Sequence, residues 1–275
     1  MISRRTVLGG LGSGLAVPAV TGCAGRRTAA RRPDIAPSAP RPAIAGLDAV
    51  IDISHSVEVS DFALARRQSN ILGVIHKASE GGDWFDPSYS LRRPQAEAAG
   101  LLWGAYHFGT RQYSGAEQAQ AFLAAARPGP ATLLALDLEP NDGNPRNTME
   151  VGQGEAFVLA VRQATGRLPL VYVHPNWANG APAGRHRITL NEPITPGSVL
   201  ARCDLWLADY RDEPEVPLAW ADKGWRLWQY VANESAADAA YGSVPRAVAG
   251  VSHCDRNLFA GDAPALYRFW SGRGA

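Results

Sequence analysis

Between residues 49 and 174 the sequence alternates short apolar segments with longer segments that carry helix signals. Strands are predicted at 49–54, 72–78, 102–108, 132–139 and 170–174. Helices are predicted at 61–69, 87–99, 116–126 and 151–165. Gly100 and Gly166 follow two of these helices, as glycines at helix ends often do. Strands that alternate with helices predict a parallel sheet, and this number of units predicts a barrel.

The rhythm changes after residue 174. The segment 175–200 is rich in Pro, Gly and Asn, and 211–224 and 231–250 lack a long amphipathic pattern, apart from one helical turn predicted at 236–241. Further strands are predicted at 205–210, 226–230 and 251–255. We therefore expect an α/β fold, an irregular TIM-like (β/α) barrel whose last strands lack a full set of helices.

The fourth predicted strand, within Thr132–Pro140, ends in two acids one residue apart, Asp137 and Glu139. Side chains alternate along a strand, so both acids project from one face, about 7 Å apart, while the leucines between them face the covering helices. Buried carboxylates are unfavourable unless they are solvated, hydrogen-bonded or used in chemistry. Paired acids cleave glycosidic bonds. The alternative is a strand end whose acids cap the next loop.

In such barrels the active site lies at the carboxyl ends of the strands. The predicted strand ends carry many polar and aromatic side chains. These are Asp52, Lys77, Glu80, Tyr106, His107, Asp137, Glu139, Tyr172, His174, Asp209, Tyr210, Trp228, Gln229, Tyr230 and Asp255. Acids and aromatic rings that converge on one opening suit a sugar, because rings stack on its apolar faces and carboxylates accept from its hydroxyl groups.

The N-terminus has the pattern of an export signal. Arg4 and Arg5 precede an apolar, glycine-rich stretch, which resembles a Tat signal over residues 1–22. The sequence Val-Thr-Gly-Cys at 20–23 resembles a lipobox, so we expect Cys23 to be lipidated; an ordinary signal peptide with an incidental cysteine is the alternative. Residues 23–45, rich in Ala, Arg and Pro, predict a disordered tether. The remaining residues, 46–275, form the predicted catalytic barrel. We therefore expect the protein to be an exported lipoprotein of the periplasm or cell surface.

Charge and cysteine content add two expectations. The chain has 27 basic and 26 acidic residues, a net charge of +1, which shows no nucleic-acid footprint, and we expect a monomer. Cys203 and Cys254 lie at opposite ends of a parallel barrel, beyond the reach of a disulfide, although export would permit one. The sequence leaves their pairing open.

The chain resembles the glycoside hydrolase family 25 lysozymes (N-acetylmuramidases) over nearly the whole domain. The segments that carry the resemblance are Val50–His55 (V-I-D-I-S-H), Ile75–Gly81 (I-H-K-A-S-E-G), Asp86–Pro87, Ala99–Leu101, Gly104–Phe108 (G-A-Y-H-F), Leu136–Glu139 (L-D-L-E), Trp206–Tyr210 (W-L-A-D-Y), Trp228–Tyr230 (W-Q-Y) and Asp255–Phe259 (D-R-N-L-F). Each segment alone is weak, but their order is specific. The resemblance implies cleavage of the β-1,4 bond between N-acetylmuramic acid and N-acetylglucosamine, with peptidoglycan glycan strands as partner and no cofactor or metal.

The resemblance also implies roles for individual residues. Glu139 is the expected general acid, and an ionised Asp137 orients the 2-acetamido group of the substrate. Asp52 and Asp255, from the first and last strands, shape the field around Glu139. The expected substrate-binding side chains are Tyr106, Lys77, Tyr172, Trp177, Tyr210 and Trp228. A structural ion pair is the alternative for Lys77, and a surface position is the alternative for Trp177. Retaining and inverting routes both stay open.

Two other functions are compatible with these residues. His55, His76, His107 and His174 lie near strand ends, as the ligands of a metal-dependent amidohydrolase would, although the first strand carries no H-x-H. The second is a catalytically silent glycan-binding domain, which would not require all four acids. The sequence does not distinguish remodelling of the cell's own wall from attack on other cells, nor a preference for acetylation state or cross-links.

Overall fold

The computed structural model describes residues 46–211, 213–235, 240–241, 244–245 and 247–272. The predicted export signal, Cys23 and the tether therefore lie outside the described residues, as does most of the helical turn predicted at 236–241, whose last two residues belong to a strand. Within the described ranges, no helix combines the length and the apolar character needed to cross a membrane.

Eight strands close into a barrel. In chain order the strands are β1 Leu47–Ile53, β2 Gly73–Glu80, β3 Trp84–Phe85, β4 Leu102–Phe108, β5 Leu133–Asp137, β6 Leu170–Val173, β7 Leu205–Ala208, β8 Trp225–Ser235, β9 Ala240–Tyr241, β10 Val244–Pro245 and β11 His253–Phe259. The order around the barrel is β1-β11-β8-β7-β6-β5-β4-β2, and β2 pairs with β1 to close it. Strand β3 extends the sheet beside β2, and β9 pairs with β10.

In the part of the chain that the structure describes, helices of two or more turns cover the sides of the first half of the barrel. They are α1 Phe62–Gln68, α2 Tyr89–Ala98, α3 Gly115–Ala126, α4 Val151–Thr165, α5 Pro175–Ala178, α6 Val199–Arg202 and α7 Ala263–Trp270. The four helices predicted before residue 174 are present, whereas α5 and α6 are single turns of four residues each. The predicted irregular TIM-like barrel is therefore confirmed.

The barrel is not wholly parallel, which corrects one expectation. Strand β11 runs antiparallel to both of its neighbours, β1 and β8, while the other barrel pairs are parallel. A parallel neighbour needs a long crossover, usually a helix, and no such helix precedes β11 in the described residues. Asp255 consequently lies near the beginning of its strand, yet at the same end of the barrel as Asp52, its partner in register.

Side chains alternate between two apolar layers, as the period of a strand requires. Leu133 and Ala135 of β5 point into the barrel, while Leu134, Leu136 and Leu138 pack beneath the helices. This confirms the two faces predicted for the acid-bearing segment. Since Asp137 continues the inward series, its carboxylate enters the barrel rather than the helical layer.

Helix α7 closes one end of the barrel. Its Trp270 is fully buried against the interior side chains, and its indole nitrogen donates to the Trp103 carbonyl oxygen over 2.8 Å. A Cβ atom on Gly73 would lie 2.8 Å from the Trp270 ring, so the glycine makes room for the plug. The opposite end, where the parallel strands finish, is the mouth of the barrel and is the end available to a ligand.

The two described cysteines are free thiols. Cys203 precedes β7, and Cys254 lies on β11 next to the mouth, so the two lie toward opposite ends of the barrel. Burial raises the pKa of each thiol to about 12, which keeps both protonated and unreactive. The disulfide between Cys203 and Cys254 that the sequence left open is not formed in this structure.

Candidate active site

Four carboxyl groups meet at the mouth. Asp52 and Asp255 are cross-strand partners on β1 and β11, Asp137 ends β5, and Glu139 follows two residues later. Electrostatic repulsion links them: Asp255 raises the pKa of Glu139, and both Glu139 and Asp52 raise the pKa of Asp137. The structure thus brings together all four residues that the sequence singled out for catalysis.

Asp52 lies in a network of amide donors. The Gln229 amide nitrogen is 3.0 Å from both Asp52 carboxylate oxygens, and the Asn257 amide nitrogen is 2.8 Å from Oδ2. Burial, followed by the charge of Asp255, raises the pKa of Asp52 well above 3.8, although both amides oppose the rise. A side-chain hydrogen bond with Asp255 adds to the rise in the pKa of Asp52, since such a bond between two carboxyl groups requires a proton on one of them.

Asp137 is buried, with one oxygen unsatisfied. Its Oδ1 accepts no hydrogen bond from the described residues. Burial and, next, repulsion from Glu139 raise the pKa of Asp137 well above 3.8, while Lys77 opposes the rise. The surroundings of Asp137 therefore oppose the ionised form that was expected for it. A ligand that donates a hydrogen bond to the carboxyl group would favour the carboxylate.

Glu139 has the properties of a general acid at neutral pH. Its side chain is half-buried, and burial raises its pKa from 4.5 to about 7. Lys77 limits the rise, whereas the charges of Asp255 and Asp142 add to it. Near pH 7 a large fraction of Glu139 therefore carries a proton, and a group with a pKa close to the working pH transfers that proton efficiently.

Lys77 supplies positive charge beside the acids. Its ammonium is 2.7 Å from Glu80 Oε2 and lies 5.0 and 4.9 Å from the ring centres of Trp84 and Phe108. The structural ion pair left open by the sequence is thus present. The same charge lowers the pKa of Glu139, so Lys77 tunes the acid whether or not it contacts a sugar.

Three tyrosines surround the acids. The hydroxyl groups of Tyr172 and Tyr210 both donate to Gln229 Oε1 over 2.8 Å. Burial, then repulsion from Asp137, raises the pKa of Tyr106 well above 10, which places this residue beside the acids as well. Tyr210 is 54% exposed and offers its ring to solvent at the mouth. All three tyrosines lie beside the acids, and their role in binding substrate stays a prediction.

The sequence profile of glycosyl hydrolases family 25 matches residues 51–239 of this chain, more than half of its length. The chain belongs to family 25. The resemblance seen in its sequence motifs is therefore confirmed, and the chain is a glycoside hydrolase by descent.

Two relatives of similar sequence are named as a muramidase and a lysozyme. The N,O-diacetylmuramidase of Chalaropsis sp is 30% identical over 134 residues, which cover 44% of this chain and 64% of that protein, just under two thirds. Lysozyme M1 of Streptomyces globisporus is 26% identical over 231 residues, covering 78% of this chain and 69% of the relative.

Solved structures share the barrel. The bacterial lysozyme from Streptomyces coelicolor superposes with a TM-score of 0.66 at 24% identity, covering 83% of this chain and 98% of that chain. The muramidase from Trichobolus zukalii superposes with a TM-score of 0.63 at 25% identity, covering 81% and 98% respectively. The irregular barrel is thus the family 25 fold.

Two tryptophans expected to bind substrate do not reach the mouth. Trp177 and Trp228 are both fully buried and belong to the layer outside the barrel. The Trp177 indole donates to the Ile188 carbonyl oxygen over 3.1 Å, and the Trp228 indole donates to the Asp209 carbonyl oxygen. Neither ring presents a face to a sugar, so the substrate-binding role predicted for both is wrong for this structure.

Two amides of the site were given no role in the sequence analysis, although Gln229 was expected at a strand end and Asn257 belongs to one of the motif segments. Gln229 lies between the outward-facing Trp228 and Tyr230, and Asn257 lies two residues after Asp255. Strand alternation could have found both: a residue between two outward side chains points inward, as does the residue two positions from an inward acid. Asn257 is itself fixed by the Trp206 indole, 2.6 Å from its Oδ1.

Three of the four histidines near strand ends have structural partners, whereas the buried Nδ1 of His174 makes no hydrogen bond with the described residues. His76 bonds the Lys77 carbonyl oxygen, and His107 lies between Ser79 and Gln118; burial lowers the pKa of each histidine to about 4. His55 contacts Asp86 instead. No group of three or more His, Cys, Asp or Glu side chains in the described ranges is arranged to hold a metal ion. The histidines therefore give no support to an amidohydrolase.

Proposed function

We propose that this family 25 enzyme is a lysozyme that cleaves the β-1,4 bond between N-acetylmuramic acid and N-acetylglucosamine in peptidoglycan. The observation that carries the proposal is Glu139, a half-buried acid with a pKa of about 7, set beside three further carboxyl groups at the open end of the barrel. Both characterised relatives are named as enzymes of this kind, a muramidase and a lysozyme.

In the first step Glu139 protonates the glycosidic oxygen as that oxygen leaves C1 of the muramic acid residue. The acetamido carbonyl oxygen of the same sugar attacks C1, so the C1–oxygen bond to the leaving sugar breaks while an intramolecular C1–oxygen bond forms. Water then opens the cyclic intermediate and returns a proton to Glu139. This route retains the configuration at C1, whereas direct attack by an activated water would invert it.

Asp137 makes the acetamido group a better nucleophile. Its carboxyl group, 8% exposed, can accept the acetamido N–H of a bound sugar. That bond and the nearby charge of Lys77 both favour the ionised carboxylate. A carboxylate beside the cyclic intermediate stabilises the positive charge that develops on it. A bound acetamido group thus favours the ionised form of Asp137 that the reaction uses.

The remaining residues set the field and hold the sugar. The Asp52–Asp255 pair shares a proton, and its charge helps to keep the pKa of Glu139 high. Tyr210 is the exposed aromatic side chain beside Gln229 and is suited to stacking on a sugar ring. Tyr106 and Tyr172 line the same interior, where their rings and hydroxyl groups complete the wall of the site.

Product analysis tests the activity. Digestion of purified peptidoglycan followed by mass spectrometry should yield fragments with muramic acid at the reducing end, and an N-acetylglucosamine reducing end would contradict the proposal. Glu139→Gln should lower turnover by about 10²- to 10⁴-fold. Glu97→Gln on α2 removes an exposed carboxylate far from the mouth and should leave turnover unchanged. A silent glycan-binding domain would keep its affinity in both variants and show no turnover in the wild type.

The anomeric outcome distinguishes the two routes. Proton NMR of the first product, recorded before mutarotation, should show the β-anomer for the retaining, acetamido-assisted reaction. An initial α-anomer would contradict the role given to Asp137. The Asp137→Asn variant should lose turnover without losing binding, because the amide still contacts the acetamido group but does not stabilise a positive charge.

The cellular setting is also proposed. An enzyme that cleaves wall glycan needs access to the wall, which supports the export signal read at residues 1–22 and the lipid anchor at Cys23. A monomer without nucleic-acid affinity suits that setting. Cys23→Ala should move the protein from the membrane fraction to the soluble fraction, with specific activity unchanged. Retention of the variant on membranes would contradict the anchor.

A further inference from the structure

A short hairpin beside the mouth concentrates positive charge. Ala183 and Ile188 pair through two backbone hydrogen bonds of 2.9 Å each, and residues 184–187 form the turn between them. We call residues 183–188 the basic hairpin. Three of the four turn residues are Arg185, His186 and Arg187, all exposed, and the Arg185 side chain is 88% exposed.

The basic hairpin is held in place from two sides. The Asp142 carboxylate accepts the backbone N–H groups of Arg185 and His186 over 3.1 and 3.4 Å, and its Oδ2 lies 3.9 Å from Nε of the Arg185 guanidinium. On the other side, the Ile188 carbonyl oxygen accepts the indole N–H of the buried Trp177. A hairpin anchored at its tip and at its base presents its side chains with little loss of entropy on binding, which favours recognition.

Gly184 shows that the anchor is specific. Its φ of +72° suits glycine, and a Cβ atom there would lie only 2.6 Å from Asp142 Oδ1. Any other residue would thus push the carboxylate away from the turn. Arg187 also adopts a positive φ, of 50°, which few non-glycine residues do. The local backbone is therefore shaped around Asp142.

The anchor connects the basic hairpin to the catalytic acid. Asp142 lies three residues after Glu139, and its charge is close enough to raise the Glu139 pKa. The mouth itself is lined by Asp52, Asp137, Glu139 and Asp255. A negatively charged group on the substrate would be repelled by these acids and attracted to the two guanidinium groups outside them.

Resting on the function proposed above, we propose that the basic hairpin binds the carboxylates of the peptide stem that the muramic acid residues of the substrate carry. Guanidinium groups match carboxylates in charge and in planar geometry, and an uncharged sugar would give them no such partner. The stem branches from the sugar next to the cleaved bond, so a cationic site just outside the mouth lies where that branch leaves the glycan. Arg185 and Arg187 then determine preference for peptide-bearing glycan.

The experiment compares three forms of one soluble, uncross-linked peptidoglycan: the native form, a form whose carboxylates are capped as methylamides, and a form stripped of peptide by an amidase. In the Arg185→Gln, Arg187→Gln double variant, KM for the native form should rise about fivefold to tenfold, with kcat unchanged. KM for the capped and stripped forms should change less than twofold. The Arg185→Lys, Arg187→Lys double variant should bind the native form more tightly than the glutamine variant does, because it keeps the positive charge.

Controls separate this proposal from the one it rests on. Arg67→Gln, Arg268→Gln removes the same charge at exposed positions toward the closed end of the barrel, and its KM for native substrate should match the wild type. An equal rise in KM on all three substrates, or none on the native form, would overturn the role of the basic hairpin. If KM of the Arg185→Gln, Arg187→Gln variant rose for glycan stripped of peptide, the basic hairpin would bind the lactyl carboxylate instead, and the proposal that it binds the peptide stem would be wrong. Failure of the wild type on every substrate would instead reject the lysozyme activity.

Discussion

Asp52 and Asp255 face each other as register partners across the seam where β1 and β11 close the barrel. Gln229 reaches both carboxyl groups with one amide nitrogen, 3.0 Å from Asp52 and 3.4 Å from Asp255. Because Asp52 is buried and the neighbouring charge of Asp255 repels its own, the pKa of Asp52 is raised and the pair favours keeping a proton. The seam thus holds a fixed, partly neutralised pair of acids next to Glu139, and the pair influences the proton that Glu139 donates.

Removing the charge of Asp255 should shift the alkaline limb of the pH–activity profile. Asp255 raises the pKa of Glu139, so Asp255→Asn lowers that pKa from about 7. Glu139 donates only while protonated, so kcat/KM should begin to fall at a lower pH than in the wild type. Steady-state rates on a soluble glycan between pH 5 and 9 measure the shift. An alkaline limb that moves to higher pH would contradict the electrostatic role given to Asp255.

Lys77→Met should shift the same limb in the opposite direction. The ammonium of Lys77 lowers the pKa of Glu139, so its replacement by an uncharged side chain of similar length raises that pKa. The activity of the variant should persist to higher pH, and Met can still pack against Trp84 and Phe108. If both variants shift the limb in one direction, the electrostatic field of these residues does not control Glu139.

The catalytic acid should also reduce stability at alkaline pH. Since burial raises the folded-state pKa of Glu139 from 4.5 to about 7, the folded state binds this proton more tightly than the unfolded chain does. The free energy of unfolding that proton binding to Glu139 contributes is therefore lost as the pH rises from 4.5 to 7. Glu139→Gln should be more stable than the wild type by about 2 kcal/mol at pH 8, after allowance for partial exposure, and equal to it at pH 4.5.

Urea unfolding at the two pH values measures this difference. Glu97→Gln is the matched control, because that exposed carboxylate is paired with Arg93 on the surface of α2 and should show no comparable gain. A Glu139→Gln variant with the same stability difference at both pH values would mean that its effect comes from packing and not from the proton.

The sequence predicted the position of the acids well, because a strand alternates with a period of two. That period alone places Asp137 on the inner face of β5, opposite the leucines that pack beneath the helices, and Glu139, two residues past the strand end, continues the same series. The period carries no information about the direction of a strand. The antiparallel course of β11 agrees with the lack of a crossover helix among the described residues before it, and the short 251–255 signal did not reveal it.

The aromatic residues were harder to assign for a related reason. Trp228 and Gln229 are neighbours in the chain, and only their faces decide which one reaches the mouth. An aromatic residue fits both a sugar site and an apolar layer, so its chemistry does not choose between them. Trp177 was misassigned because the composition of its loop is typical of an exposed segment. In the structure Trp177 belongs to the same buried apolar layer as Leu190 and Ile194. Loop packing of this kind is not encoded in a periodic pattern.

The plug at the closed end gives a last prediction, about stability alone. Gly73→Ala would place a methyl group 2.8 Å from the Trp270 ring, which is buried and bonded to Trp103. A tryptophan enclosed on all sides has no room to move, so the variant should lose about 1–3 kcal/mol of unfolding free energy. Gly152→Ala, in α4, is the matched control, since nothing lies within 4 Å of its added Cβ and alanine favours a helix. Thermal unfolding of the two variants should give opposite shifts, and similar losses in both would mean that the packing against Trp270 is not what Gly73 preserves.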